Sequence, residues 1–173
     1  MGILLTRRST LLLLLGSGAS AGCTVPTFSS FSSPEATAAE VTRIEVHKSK
    51  RRMYLLSHEQ VVRSYKIDLG FAPDGHKTQE GDGRTPEGRY YIDRRNPNSA
   101  YYLSIGISYP NSADRAQAAA RGVSPGGDIF IHGTPREFRR KRDWTAGCIA
   151  VTDREMREIY TMVPMRTVID IFP

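Results

Sequence analysis

Two residues near the C-terminal end have the types and the spacing to make a nucleophile and its base. His132 is followed by fifteen residues and then by Cys148, which closes the run Thr145-Ala146-Gly147-Cys148. Cysteine attacks as its thiolate, and a neighbouring imidazole can generate that thiolate by taking the proton. Gly147 lets the chain turn tightly beside the sulfur and present N–H groups, which could hold the negative oxygen of a tetrahedral intermediate. A backbone carbonyl could orient the His132 ring in place of a carboxylate. The plainer reading is a Cys that is a small buried hydrophobe and a His that is a turn residue before Gly133. The pair by itself leaves both readings open.

The neighbours sharpen the question without closing it. Thr145 could be a hydroxyl beside the thiol that touches substrate, or a satisfied turn residue. Trp144 could wall a site or simply pack in the core. Arg84 and Lys77 lie in the Gly-rich run 70–88 and could meet an anionic ligand or stay solvated. Residues 136–142 (REFRRKR) stand between His132 and Cys148. They are either a cationic lid or a solvated loop. His47, His58 and His76 have no metal-ligand spacing, and His132 with Cys148 lacks a third ligand in sequence reach, so no metal is expected.

His132 needs a rigid mount, and the sequence supplies one: Asp128 to His132 reads as a buried strand that ends on the histidine. Upstream, residues 42–47 alternate polar and apolar, as a strand with one buried face does. Further strands are expected over 53–56, 61–69, 89–93, 101–107 and 167–171. The basic residues between the first two, Lys48 to Arg52, read as a solvated turn. Gly70 to Gly88 is a loop dense in Gly, Pro and Asp. Asn111 or Ser112 can cap a helix through Ala120 that is closed by Gly122. Thr152 and Glu155 form a capping box for a second helix carrying Met156, Ile159, Tyr160 and Val163 on one side. The expected fold is mostly β with about two short helices, and the lack of regular β-α-β units argues against a doubly wound sheet.

The chain has 173 residues, 24 Lys+Arg against 18 Asp+Glu, and two Cys. That length fits one domain with a real core, and two cysteines cannot build a disulfide scaffold. Residues 1–23 run from Arg7 and Arg8 through Leu11 to Leu15 and small residues to Cys23, the order of an export signal. Ser20-Ala21-Gly22-Cys23 resembles a lipoprotein cleavage box, which makes Cys23 a lipidation site and leaves Cys148 unpaired. Residues 24–40, rich in Ser, Thr, Pro and Ala, read as a flexible tether. The reading is an exported, periplasmic, membrane-anchored lipoprotein, and export argues against a nucleic-acid partner.

Over residues 41–173 the sequence resembles the L,D-transpeptidase (YkuD-like) catalytic domain. The resemblance rests on His132, the loop of fifteen residues and Thr145-Ala146-Gly147-Cys148, with Gly81 to Gly88 (GDGRTPEG), Ser108-Tyr109-Pro110-Asn111 and Pro125-Gly126-Gly127-Asp128 upstream. Two positions depart from it: many members carry His before the glycine and Arg or Asn two residues after the cysteine, where this chain has Ala146 and Ala150. The resemblance implies a sandwich-like β fold and peptidoglycan stem peptides as substrate. It implies Cys148 as nucleophile, His132 as general base and acid, the Gly133 carbonyl orienting His132, and N–H groups near Gly147 and Cys148 as oxyanion hole. Thr145, Trp144 and Arg84 would contact substrate, and no cofactor is needed. The implied reaction attacks the L-centre carbonyl of meso-diaminopimelate, releases D-Ala and forms a 3→3 cross-link. A hydrolase on the same site, or a non-enzymatic wall-binding lipoprotein, are the alternatives.

Overall fold

A computed structural model describes residues 40–173. The export signal, Cys23 and all but the last residue of the tether lie outside the described residues. Within them, no helix is long and apolar enough to cross a membrane.

Alternation builds the first strand. In β1 (Arg43–His47) Ile44 and Val46 are fully buried while their neighbours are not. It pairs antiparallel with β2 (Arg52–Ser57), which pairs with β3 (Gln60–Lys66). β4 (Gly88–Ser99), β5 (Tyr102–Ile107), β6 (Phe130–His132), β7 (Ile149–Ala150) and β8 (Val168–Phe172) complete the set. The order is β3-β2-β1-β8-β4-β5-β6-β7, with β8 parallel to β1 and β7 parallel to β6.

The sandwich-like arrangement arises within this single array, at β4. Gly88 to Tyr91 pair with β8, and Ile92 to Ser99 pair with β5. β4 runs well past the expected 89–93 because its second half, Asp93 to Ser99, is largely exposed and carries no burial alternation to read. In the opposite sense, the expected strand 61–69 stops at Lys66. The chain then leaves β2 and crosses to the far edge. Asp68 exchanges backbone hydrogen bonds with Ala150 (2.9 and 2.8 Å), and Leu69 and Phe71 bond to Thr145. These bridges tie the β3 side of the array to the β7 side, where Cys148 sits.

Two helices cover this frame. α1 (Ser112–Ala120) starts on Asn111, whose side chain accepts the N–H groups of Ala113 and Asp114, and the chain turns at Gly122 with φ +68°. α2 (Asp153–Met162) starts on Thr152 with the expected reciprocal bonds to Glu155, and buries Met156 and Ile159 completely. Each such side chain contributes about 1.5–3 kcal/mol over an exposed one. They join one core with Ile44, Leu55, Ile105, Ile131, Ile149 and Ile169.

Candidate active site

β6 and β7 make the site. Their parallel register sets Ile131 opposite Ile149 and His132 opposite Ala150. Paired residues of parallel strands share a face, and side chains alternate along each strand. Cys148 immediately precedes β7, and its Sγ reaches the Phe130 N–H at the start of β6. Ala150 is small where many family members have Arg or Asn, so no side chain of any length lies opposite the imidazole.

The imidazole is fixed by its own chain. His132 is 3% exposed, and its Nδ1 lies 2.7 Å from the Gly133 carbonyl oxygen, which makes Nδ1–H the donor and leaves Nε2 for the reaction. Glycine is required at 133. A Cβ there would stand 2.4 Å from Asp153 Oδ1 and 2.8 Å from the Tyr101 carbonyl oxygen. That carbonyl accepts the Gly133 N–H at 3.0 Å, and the Tyr101 ring stacks on the imidazole with centroids 4.6 Å apart. Trp144 meets the imidazole edge-on at 5.6 Å and stacks on Phe138 at 4.1 Å. Trp144 thus forms the aromatic wall of the site, and residues 136–142 are attached to it through Phe138. Their short 3₁₀ turn spans Arg136–Phe138.

The thiol is held by backbone. Sγ accepts from the Phe130 N–H at 3.4 Å and donates to the Asp128 carbonyl at 3.5 Å. Among the described residues no hydrogen bond joins Sγ to His132. Burial raises the thiol above its ordinary pKa, against the Phe130 N–H and the Lys77 charge, which pull it down. Burial also lowers His132, against the pull of the Gly133 carbonyl. The pair therefore rests as thiol and neutral imidazole, and the thiolate forms only as the proton moves.

Glycine packing shapes the turn before the nucleophile. Gly147 has φ +130°, and a Cβ there would stand 2.6 Å from the Arg84 carbonyl oxygen. Gly70 is as tight, with a Cβ only 2.0 Å from the Gly83 carbonyl oxygen and 2.9 Å from the Gly147 nitrogen. The loop after β3, the loop 81–88 and the turn 145–148 thus touch backbone to backbone.

Several expected roles change. Gly147 was named for the oxyanion hole, but its N–H donates to Thr145 Oγ1 at 3.1 Å. The Cys148 N–H, without a partner among the described residues, is the donor that remains. Thr145, expected on substrate, is 4% exposed and donates to the Cys148 carbonyl at 2.7 Å, so it holds the turn. Lys77 is not a free cation: it is buried and bonds Asp82 Oδ1 at 2.9 Å and the Gln79 carbonyl at 3.0 Å. Arg84 lays its main chain against Gly147 and its guanidinium against Gly75, and has no carboxylate at ion-pair distance among the described residues.

The basic turn 48–52 is also not simply solvated. Lys48 is 2% exposed and donates to the carbonyls of Gly75 and Thr85 and to Glu87 Oε1, at 2.6, 3.0 and 2.8 Å. Arg51 forks onto Asp143 at 3.0 and 2.8 Å, and Asp143 accepts the Leu69 N–H at 3.1 Å. One turn thereby anchors both the 70–88 loop and the residue before Trp144. Nothing local in the sequence signals these roles. His76 Nε2 lies 3.2 Å from Asp114 Oδ1 and so ties the same loop to α1.

Comparison with known proteins agrees with this geometry. The family model of the L,D-transpeptidase catalytic domain, YkuD, matches residues 41–171. "Putative L,D-transpeptidase YafK" of Escherichia coli (strain K12) is 32% identical over 126 residues, covering 69% of this chain and 46% of that protein. The helical cell shape determining protein Pgp2 from Campylobacter jejuni superposes with TM-score 0.60 at 26% identity, over 76% of this chain and 47% of that one. An L,D-transpeptidase from Mycobacterium smegmatis shares the fold at TM-score 0.52 and 13% identity, over 78% of this chain and 59% of that one. The chain spans about half the length of the curated relatives it matches. On the family match and the YafK similarity together, the chain belongs to the L,D-transpeptidase catalytic-domain family.

Proposed function

We propose that Cys148 and His132 transfer the acyl group of a peptidoglycan stem peptide. The observation that carries the proposal is that Cys148 enters β7 beside β6, the strand that ends on His132, with Sγ against the Phe130 N–H, while the Gly133 carbonyl holds Nδ1 and leaves Nε2 free. Sγ attacks the L-centre carbonyl of meso-diaminopimelate as Nε2 takes the thiol proton. The oxyanion is stabilised by the Cys148 N–H. The intermediate collapses, His132 returns the proton to the leaving D-Ala amine, and a thioester remains. An amine of a second stem then attacks the thioester and gives up its proton to His132. A 3→3 cross-link forms and the thiol is restored.

Export with lipidation at Cys23 would deliver this chemistry to the periplasmic wall. The order of residues 1–23 supports that reading. The test is mass spectrometry of the products formed from disaccharide-tetrapeptide by the protein and by Cys148→Ala. Cross-linked dimers with loss of D-Ala, absent with the variant, are expected. Tripeptide monomers alone would make water the acceptor and the protein a hydrolase. Wall binding without any turnover, unchanged in Cys148→Ala, would make it a non-enzymatic binder.

A further inference from the structure

Arg94 belongs to a row of residues that leads across the strands to the nucleophile. It pairs with Gly106 between β4 and β5, and Gly106 pairs with Phe130 between β5 and β6. The Phe130 N–H donates to Cys148 Sγ at 3.4 Å, which joins the row to the thiol. Gly106 is the open step: a Cβ there would stand 2.7 Å from Arg94 Nε. With no side chain in the way, Arg94 lies across β5. Its guanidinium carbon sits 4.8 Å from the Phe130 ring centroid, and Nη1 donates to Asp128 Oδ1 at 3.3 Å. Phe130 and Asp128 are the two residues whose backbone holds Sγ.

The same guanidinium lines an open groove of about 620 Å³ with Arg115, Ser108, Asn111 and Asp128. Its present partners are replaceable. Asp93 lies at 3.4 Å, and the Asp128 side chain is 83% exposed. Exposed pairs of this kind are weak, whereas a carboxylate gripped by both arms of the fork is held strongly and in one orientation. The Arg or Asn that many family members carry two residues after the cysteine is here Ala150, so that position offers a substrate carboxylate no polar side chain.

We propose that Arg94 is the carboxylate-binding residue of the donor site. It grips the terminal carboxylate of the leaving amino acid, and so sets the scissile carbonyl over Cys148. In a stem ending in D-Ala that carboxylate is two bonds from the scissile nitrogen, so it must fall close to Sγ. The row from Arg94 to Cys148 supplies a cation there. This inference rests on the stem-peptide reading above.

The test follows release of the leaving group by the purified full-length protein, D-Ala from tetrapeptide with a free C-terminus and D-alaninamide from tetrapeptide with a C-terminal amide. Arg94→Gln is expected to raise KM for the free acid by about tenfold or more, with kcat changed less than about threefold. On the amide, Arg94→Gln and the unaltered protein should behave alike. Arg94→Lys should fall between, because it keeps the charge and loses the fork. An equal loss of kcat on both substrates in Arg94→Gln and Arg94→Lys would overturn the proposal, since Arg94 would then only shape Asp128 and the thiol. An acid-specific loss in Arg115→Gln but not in either Arg94 variant would overturn it too. If the unaltered protein releases neither D-Ala nor D-alaninamide, the stem-peptide reading itself fails and takes the inference with it. Matched melting curves guard against a variant that does not fold.

Discussion

At the residue scale Cys148 and His132 both sit where burial disfavours charge. Burial raises the thiol and lowers the imidazole, and both shifts favour the uncharged forms. Two pH consequences follow. Iodoacetamide should alkylate Cys148 slowly at neutral pH, with a midpoint above the ordinary thiol value of 9.0. The acid limb of kcat/KM should lie below the ordinary imidazole value of 6.5, because His132 stays unprotonated to lower pH. An alkylation midpoint near neutrality would show a stored thiolate and contradict this description. His132 and Cys148 stand out in the sequence as candidates because their types and spacing are chemical statements, and the tight turn at Gly147 is readable from its type. Tyr101, Asp143 and Arg94 do not stand out. Tyr101 and Asp143 act through neighbours brought close by folding, as the Arg51–Asp143 pair does across 92 positions of sequence, and Arg94 meets Phe130 and Asp128 only across strands.

At the element scale, the work is done by loops that polar staples hold in place. Strands 43–47 and 168–172 and both helices could be read from alternation and capping. The half of β4 beyond Asp93, and the crossing at Asp68, could not, since exposed pairing and isolated bridges leave no periodic mark. Asp82 shows how the 70–88 loop is held. Burial alone would raise its carboxyl, but the N–H groups of Thr78, Arg84 and Gln79 and the Lys77 ammonium outweigh burial and bring it to about 2. A depressed carboxylate stabilises the fold above its unfolded pKa, near the ordinary 3.8, and that stability is lost as pH falls through the folded value. Asp82→Asn should therefore cost about 2 kcal/mol in urea unfolding at pH 6 and almost nothing near pH 2. An equal cost at both pH values would mean that shape, not charge, holds the loop. Arg51→Ala should destabilise by about 1–3 kcal/mol, because Asp143 keeps its buried charge and loses its fork partner. Circular dichroism melting checks this, and an unchanged melt would remove Arg51 from the account.

At the scale of the whole described domain, the two-residue strand β7 follows directly on Cys148, and a strand that short would fray if it were a free edge. The crossing segment prevents that. Asp68 and Ala150 bond each other in both directions, and Thr145 is bonded on either side by Leu69 and Phe71. Their amide protons should exchange as slowly as those of Ile44 and Ile169 in the central strands. Fast exchange at Asp68, Ala150 and Phe71, with slow exchange elsewhere, would mean that the array is open at this end and that Cys148 is not held rigidly. The sequence led to a β domain with two helices because burial alternation is local. It did not lead to the tie between its two sides, which depends on backbone bonds that no side-chain type specifies.

The central claim is that Cys148 carries the acyl group. The measurement closest to it is the intact mass of the protein mixed rapidly with tetrapeptide stem in the absence of an acceptor amine, followed by peptide mapping. An adduct equal to the donor minus D-Ala, mapped to Cys148, missing in Cys148→Ala and strongly slowed in His132→Ala, is the expected result. Release of D-Ala at an unchanged rate from Cys148→Ala, with no adduct on any variant, would contradict it.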